Sequence, residues 1–404
     1  MIEHYIRGFE EELREIRHQI HENPEQGLQE FKTSALVAEK LRQWGYEVEQ
    51  GLATTGIVAT LKVGYEVEQG LATTGIVATL KVGDGEKSIG LRADMDALPI
   101  YENSGKPWAS KHPGLMHACG HTTILLGAAR YFAETRRFNG TLRLIFQPAE
   151  EMINGGEIMV KEGLFDRFPC DVIFGMHNMP GLPVGKFYFQ PGALMASMDQ
   201  FHITVRGCGG HGAIPHKAID PVLVAAHIAT ALQSIVSRNV DPLEAAVITV
   251  GSIVAGEAAN VIPDSAEMKI SVRSLSRDTR QLLLTRIPAL AQAQAASFGA
   301  TAEVTHVNGT PVLVNDEEMA RFAWQVACKT FGEERAEFGI KPLMGSEDFS
   351  FMLEAQPKGG FLLFGNGDAG EGSCMVHNPG YDFNDASLVP ASSYWGALVE
   401  AWLQ

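Results

Sequence analysis

An α/β fold, with a helix-covered, mostly parallel sheet and a smaller α+β insertion, is predicted from three observations. Short apolar segments alternate with helical patterns through the first half of the chain, period-two strands take over from about Asp199, and the first pattern returns from about His306. With 404 residues the chain exceeds the usual size of one domain. A composition of 45% hydrophobic and 20% charged residues supplies a large core and excludes a disordered chain.

In order, an amphipathic opening helix and a second near Glu30–Gln43 precede the strand patterns GIVATLKV and SIGLRAD. A helix from about Thr122, the strand TLRLIFQP, a helix near Ile153–Glu162 and the strand DVIFGMHN follow. RADMD, QPAEE and GMHN fall at strand ends, and in sheets of this kind chemistry gathers at the carboxyl edge. Beyond Asp199, FHITVRG alternates, Pro221–Val236 reads as helix, AAVITVGSIVAG and AEMKISVRS read as strands, and a helix near Thr279–Phe298 closes the insertion. FLLFGN is a further buried strand, and a final helix runs to Gln404. The domain reading is therefore residues 1–188 and 306–404 as one discontinuous domain, with 189–305 inserted as a second.

Lys plus Arg is 32 against 48 for Asp plus Glu, a net charge of −16 that disfavours nucleic acid and anionic lipid as partners. The N-terminal MIEHYIRGFEEELREIRHQ is charged throughout and no apolar run is long enough to span a bilayer, so a soluble, cytoplasmic protein is expected. Five scattered cysteines, an odd number, argue against a disulfide scaffold.

Residues 45–63, GYEVEQGLATTGIVATLKV, recur unchanged as residues 64–82. Two copies cannot build a solenoid, and one sheet slot cannot hold two identical strands. One copy is expected to supply the native strand while the other bulges out, pairs at an edge or competes for the slot; the sequence does not say which.

The chemistry-bearing residues start at Gln147-Pro148-Ala149-Glu150-Glu151, directly after an apolar strand. Adjacent carboxylates repel, and a cleft-facing pair is tolerated best when a cation neutralises one of them; a solvated pair such as Glu10-Glu11 means nothing. Cys119-Gly120-His121 places a thiol and an imidazole before a helical run, which suits a zinc-like cation, but a bare Cys-x-His taken alone favours a buried Cys beside a capping His. His177 closes a strand, and His377 follows another. Their convergence on the same kind of strand terminus gives five candidate ligands for two cations, and leaves Glu150 as a base beside a metal.

The blocks Arg92–Ile100, His117–His121, Gln147–Glu151, Gly175–Asn178, Gly207–His211, Asn260–Pro263, Gly345–Phe349 and His377–Pro379 follow the order of one family, over nearly all of the chain. The chain resembles the aminoacylase and carboxypeptidase metallopeptidase clan, in the amidohydrolase branch of hippurate hydrolases and auxin-conjugate hydrolases. That resemblance implies a metal-dependent amidohydrolase acting on N-acyl amino acids, with a di-metal catalytic domain and an inserted lid domain that also makes a homodimer. It implies Cys119, His121, Glu151, His177 and His377 as ligands of two divalent ions (zinc, manganese, cobalt or nickel) and Glu150 as general base. His211 would reach the substrate carbonyl, in its own or a neighbouring subunit's site, and Asn260 and Arg273 would hold the substrate carboxylate. A catalytically impaired scaffold, a dipeptidase or carboxypeptidase, and a Cys119 nucleophile are the alternatives.

The family's Cys-Gly-His-Asp-x-His-Thr is three residues short here, because Cys119-Gly120-His121 runs straight into Thr122. Either His121 is the ligand and its steadying Asp and second His are gone, or His121 stands in the later position and the ligand itself is lost.

Overall fold

The computed structural model describes all residues except 46–48, 51–56, 59–64, 72 and 119; for 49–50, 57–58, 65–71 and 153 it describes the backbone alone. The described chain forms two compact units: Met1–Gly192 with Val314–Lys341 and Asp348–Gln404, and Ala193–Leu313 with Pro342–Glu347. The expected insertion, 189–305, has no counterpart to the return segment Pro342–Glu347, which carries no strand or helix pattern of its own.

The first unit is built on an eight-stranded sheet in the order Ala336–Phe338, Phe187–Phe189, Gly359–Gly367, Val172–Pro180, Ser88–Asp94, Gly140–Gln147, Gly75–Val82 and Tyr65–Leu71. The four central strands are mutually parallel. Beyond Gly140–Gln147, Gly75–Val82 pairs antiparallel with it and Tyr65–Leu71 pairs antiparallel with Gly75–Val82. These segments are near-continuous apolar runs because both faces are covered: Gly359–Gly367 is buried at every residue. The chain leaves Ser88–Asp94 for Gly140–Gln147 on one side and later returns to Val172–Pro180 on the other, so Asp94 ends the strand at the topological switch.

The second copy of the repeat fills the sheet slot. Its Gly75–Val82 pairs residue by residue with Gly140–Gln147, from Ile76 opposite Phe146 to Val82 opposite Gly140, and Ile76, Val77, Ala78 and Leu80 are buried. Each of Ile76, Val77 and Leu80 is worth about 1.5–3 kcal/mol when withdrawn from water. Of the first copy, Ile57–Val58 pairs with Glu49–Gln50 in a separate two-stranded ladder, and most of the rest lies outside the described residues.

Helix Thr122–Thr135 is buried from Thr122 to Ala129 and packs on the final helix, Leu388–Trp402, where Gly127 meets Ser392 with no room for a Cβ. The expected single helix near 153–162 is instead two, Glu150–Ile153 and Gly155–Lys161. Asn154 between them is left-handed (φ 55°), and Gly155 approaches the Pro148 carbonyl so closely that a side chain is barred.

In the second unit, strands Ala246–Val254, Ser265–Ser274, Ser197–Arg206 and Thr301–Thr310 form one antiparallel sheet in that order. Burial alternates along Ser265–Ser274, and the buried face packs under helices Pro221–Arg238 and Arg277–Ser297 through Met268, Ile270, Ile228, Leu232, Leu283 and Ile287. Among the described residues, no helix is long and apolar enough to cross a membrane.

Candidate metal centre

Three strand ends and the loop after a fourth meet at the carboxyl edge of the large sheet. Asp94 lies in register with Gln147, while His177 and Asn178 lie opposite Leu363 and Phe364. Glu150 and Glu151 open a short helix after Ala149, which is left-handed at φ 55°, an uncommon conformation for a residue with a Cβ. The strained turn is held from both sides. Asp96 accepts the Glu150 N–H at 2.9 Å and the Glu151 N–H at 3.1 Å. Glu30 accepts the Ala149 N–H at 2.9 Å and the Thr74 hydroxyl at 2.5 Å. Gly27 lies so close to Ala149 that an added Cβ would stand 2.7 Å from its methyl group.

Beneath the turn, buried Arg92 donates to Gln147 at 2.8 Å and to Asp348 at 3.1 Å, with Asp94 at 3.6 Å. Gln147 donates in turn to both Asp348 oxygens. One guanidinium thus ties the ends of two neighbouring strands to the Asp348 carboxylate.

Of the candidate ligands, Glu151 and His377 stand side by side, Oε2 to Nε2 at 3.2 Å, with Glu151 nearly buried and His377 half exposed in a left-handed conformation (φ 63°). The Glu151 hydrogen bond raises the His377 pKa. His121 and His177 pack edge to face with centroids 4.4 Å apart. Burial, then the charge of His121, pushes His177 down to about 3, so its imidazole is neutral as a metal ligand must be. The charge of His377 adds a smaller part to that shift. His121 itself is buried, with Nδ1 2.6 Å from Asp94 and Nε2 2.9 Å from the Asn178 side-chain oxygen. Cys119 lies outside the described residues.

The charge balance fits a cation. Burial, followed by the negative charges of Glu151, Asp94 and Glu30, drives the Asp96 pKa well up. Burial works the same way on Asp94, but His121 and Arg92 outweigh it and hold that carboxyl well below the usual range. The Glu151 carboxylate with the His177 and His377 imidazoles is of the kind that zinc-like ions take.

In the second unit, His211 and Asn260 come together. Gly210–His211 pairs with Val261–Ile262, and the Gly212 N–H donates to the Asn260 carbonyl at 2.9 Å. Both side chains are exposed, and His211 Nδ1 accepts the Ala213 N–H at 3.0 Å, which leaves Nε2 to carry the hydrogen in the neutral ring. Arg273 is not brought to them. It sits near the far end of Ser265–Ser274, ~26 Å along the strand from Ser265, and donates to the Met344 carbonyl at 2.7 Å.

Asp94, Asp96 and Asn178 belong to the site although sequence reasoning named no role for them; the signal was their place in RADMD and GMHN at strand ends. Glu30 and Thr74 had none, since an isolated helical Glu and a repeat Thr look ordinary.

Residues 90–401 match the model of Peptidase family M20/M25/M40. The hippurate hydrolase of Campylobacter jejuni is 44% identical over 97% of each chain. The N-acetyl-L-cysteine deacetylase of Bacillus subtilis is 35% identical over 95% of this chain and 86% of its own. Among solved structures, the Bacillus subtilis YXEP protein, described as a dinuclear metal binding peptidase from the M20 family, superposes with a TM-score of 0.80 at 32% identity, over 98% of this chain and 99% of that one. The chain belongs to peptidase family M20/M25/M40, as a hydrolase of its amidohydrolase branch.

Proposed function

We propose that the protein hydrolyses the amide bond of N-acyl amino acids with Glu150 as general base. The observation that carries this is the Glu150-Glu151 turn: Asp96 holds both main-chain N–H groups, so the two carboxylates leave one rigid corner, and Glu151 reaches His377. Of the five expected ligands, Glu151, His177 and His377 would hold the divalent metal, zinc, manganese, cobalt or nickel, with Cys119 and His121 the remaining candidates and room in the family's pattern for a second ion. Such an ion, when bound, polarises the scissile carbonyl and lowers the pKa of water. Glu150 takes a proton from the attacking water and delivers it to the leaving amine. His211, through Nε2–H, donates to the developing oxyanion, and Asn260 and Arg273 hold the substrate carboxylate. The separation of Arg273 from the His211–Asn260 ribbon within one chain supports a site shared between two subunits. A homodimer through the second unit is supported by its edge strand Ala246–Val254, which leaves Val247, Ile253 and Val254 exposed. A cytoplasmic location completes the proposal.

Hippurate, N-acetyl amino acids and indole-acetyl conjugates, the substrate types that the relatives' names suggest, form the assay panel, with dipeptides included because carboxypeptidases of Saccharolobus solfataricus are also 35–36% identical. Glu150→Gln should keep its metal and lose about 10²–10⁴-fold in turnover. Glu151→Gln should lose the metal itself. Equal metal content and equal turnover in both variants would reject the assignment, and turnover of dipeptides alone would move the protein to the peptidase alternative.

A further inference from the structure

The three-residue gap after His121 leaves open which role that imidazole took, and the geometry around it answers. His121 precedes helix Thr122–Thr135, and the Thr122 hydroxyl donates to the Asp94 main-chain carbonyl at 2.5 Å, which ties the helix start to the strand end. The ring is thereby pulled between two strand termini. Nδ1 faces the Asp94 carboxylate at 2.6 Å. Nε2 lies 2.9 Å from the Asn178 Oδ1 and 3.2 Å from the Asn178 main-chain N. The Asn178 side chain cannot turn away without loss, because its Nδ2 donates to the buried Tyr381 hydroxyl at 2.5 Å. Whichever tautomer is present, each ring nitrogen points its hydrogen or its lone pair at a protein atom.

A metal ligand must offer a lone pair to open space shared with the other donors. His121 has neither nitrogen so placed, whereas the Glu151–His377 contact already joins two donors at the corner beside Glu150. What the His121 ring does offer is a wall: it stacks edge to face on His177 at 4.4 Å.

We propose that His121 is a positioning residue and not a metal ligand in this chain: it bridges Asp94 to Asn178 across the strand ends and so sets the ring plane of His177. This rests on the reading of Glu151, His177 and His377 as ligands. It also means that the short loop has removed one imidazole donor from the family's set instead of removing only the groups that steady it.

The test starts from the unmutated full-length protein and adds three single variants. Imidazole nitrogen NMR signals of metal-stripped, ¹⁵N-histidine-labelled protein are followed as zinc is added, with His121→Gln, His177→Gln and His377→Gln used to assign them. The expected result is that the His177 and His377 signals move to coordinated positions at saturation while both His121 nitrogens stay where they were. Cobalt titration of the variants gives the second readout. His121→Gln should keep the affinity within about threefold and leave the visible cobalt bands in place, while lowering turnover about 10–100-fold; His177→Gln and His377→Gln should each weaken cobalt by more than about tenfold. A coordinated shift of a His121 nitrogen along with the other two would overturn this inference and leave the metal reading intact. Zinc that moves none of the three signals would remove the metal reading, and the inference with it.

Discussion

Residues 45–63 and 64–82 carry the same side chains in the same order, yet the second copy's Ile76 and Val77 lie buried in an eight-stranded sheet while their twins Ile57 and Val58 pair, among the described residues, with Glu49–Gln50 in a separate two-stranded ladder. Intrinsic strand propensity is identical by definition, so tertiary context makes the whole difference. The context is the downstream connection. Val82 must reach Ser88 through a short turn that is clamped on Asn139, whose side chain accepts the Gly85 N–H at 2.8 Å and lies where a Cβ on Gly83 would go. Only the copy directly upstream of that clamp enters the slot without inserting nineteen residues into it. The lesson is that strand assignment here belongs to the connector.

The largest effect that sharpens this comparison is expected at Val77. An Asp there places a carboxylate in a fully buried position and should cost about 3–5 kcal/mol in a chain from which one copy has been excised. In the full chain the loss should be smaller, because an unmodified copy upstream can move into the slot with the damaged one looped out. Denaturant midpoints of the two backgrounds decide it, and equal losses would break the idea that the copies are interchangeable.

Thr74→Val comes next. It leaves the buried Glu30 short of a donor and loosens the carboxylate that holds Ala149, so it should cost about 1–3 kcal/mol and reduce turnover. Thr55→Val, the twin substitution, should cost less than half as much and leave turnover unchanged. Urea melts and a hippurate assay on both variants provide the check; matching effects would show that both threonines are used.

The smallest effect is excision itself. Removing 45–63 or 64–82 yields the same chain, so one protein tests both, and relief of the surplus loop should add on the order of 1 kcal/mol, read as a small rise in thermal midpoint. A lower midpoint would show that the first copy contributes contacts that the comparison does not credit to it.

Much of the fold was legible because its strands are apolar runs that end in polar motifs. SIGLRAD, TLRLIFQP and DVIFGMHN each occupy a central strand, and their terminal residues meet at one edge. The helix break at Asn154 was not legible, since it depends on Gly155 meeting the Pro148 carbonyl, a contact absent from any local pattern. Within the site, the Glu150-Glu151 pair and the three histidines could be named from their positions after strands, but what each ring nitrogen touches could not. The resemblance implies a ligand role for His121, but its bonds to Asp94 and Asn178 come from strands that lie far from it in sequence.

The contact between Gly27 and Ala149 carries a practical consequence for anyone choosing variants of this protein. A methyl group at position 27 would press on both the Cβ and the Cα of Ala149, at 2.7 and 2.9 Å, so replacing Ala149 by glycine would not make enough room. Library designs that treat the segment before helix Phe31–Gln43 as a tolerant surface loop would therefore meet an unexpected dead position there, one whose damage is read out at Glu150 and not in the loop itself.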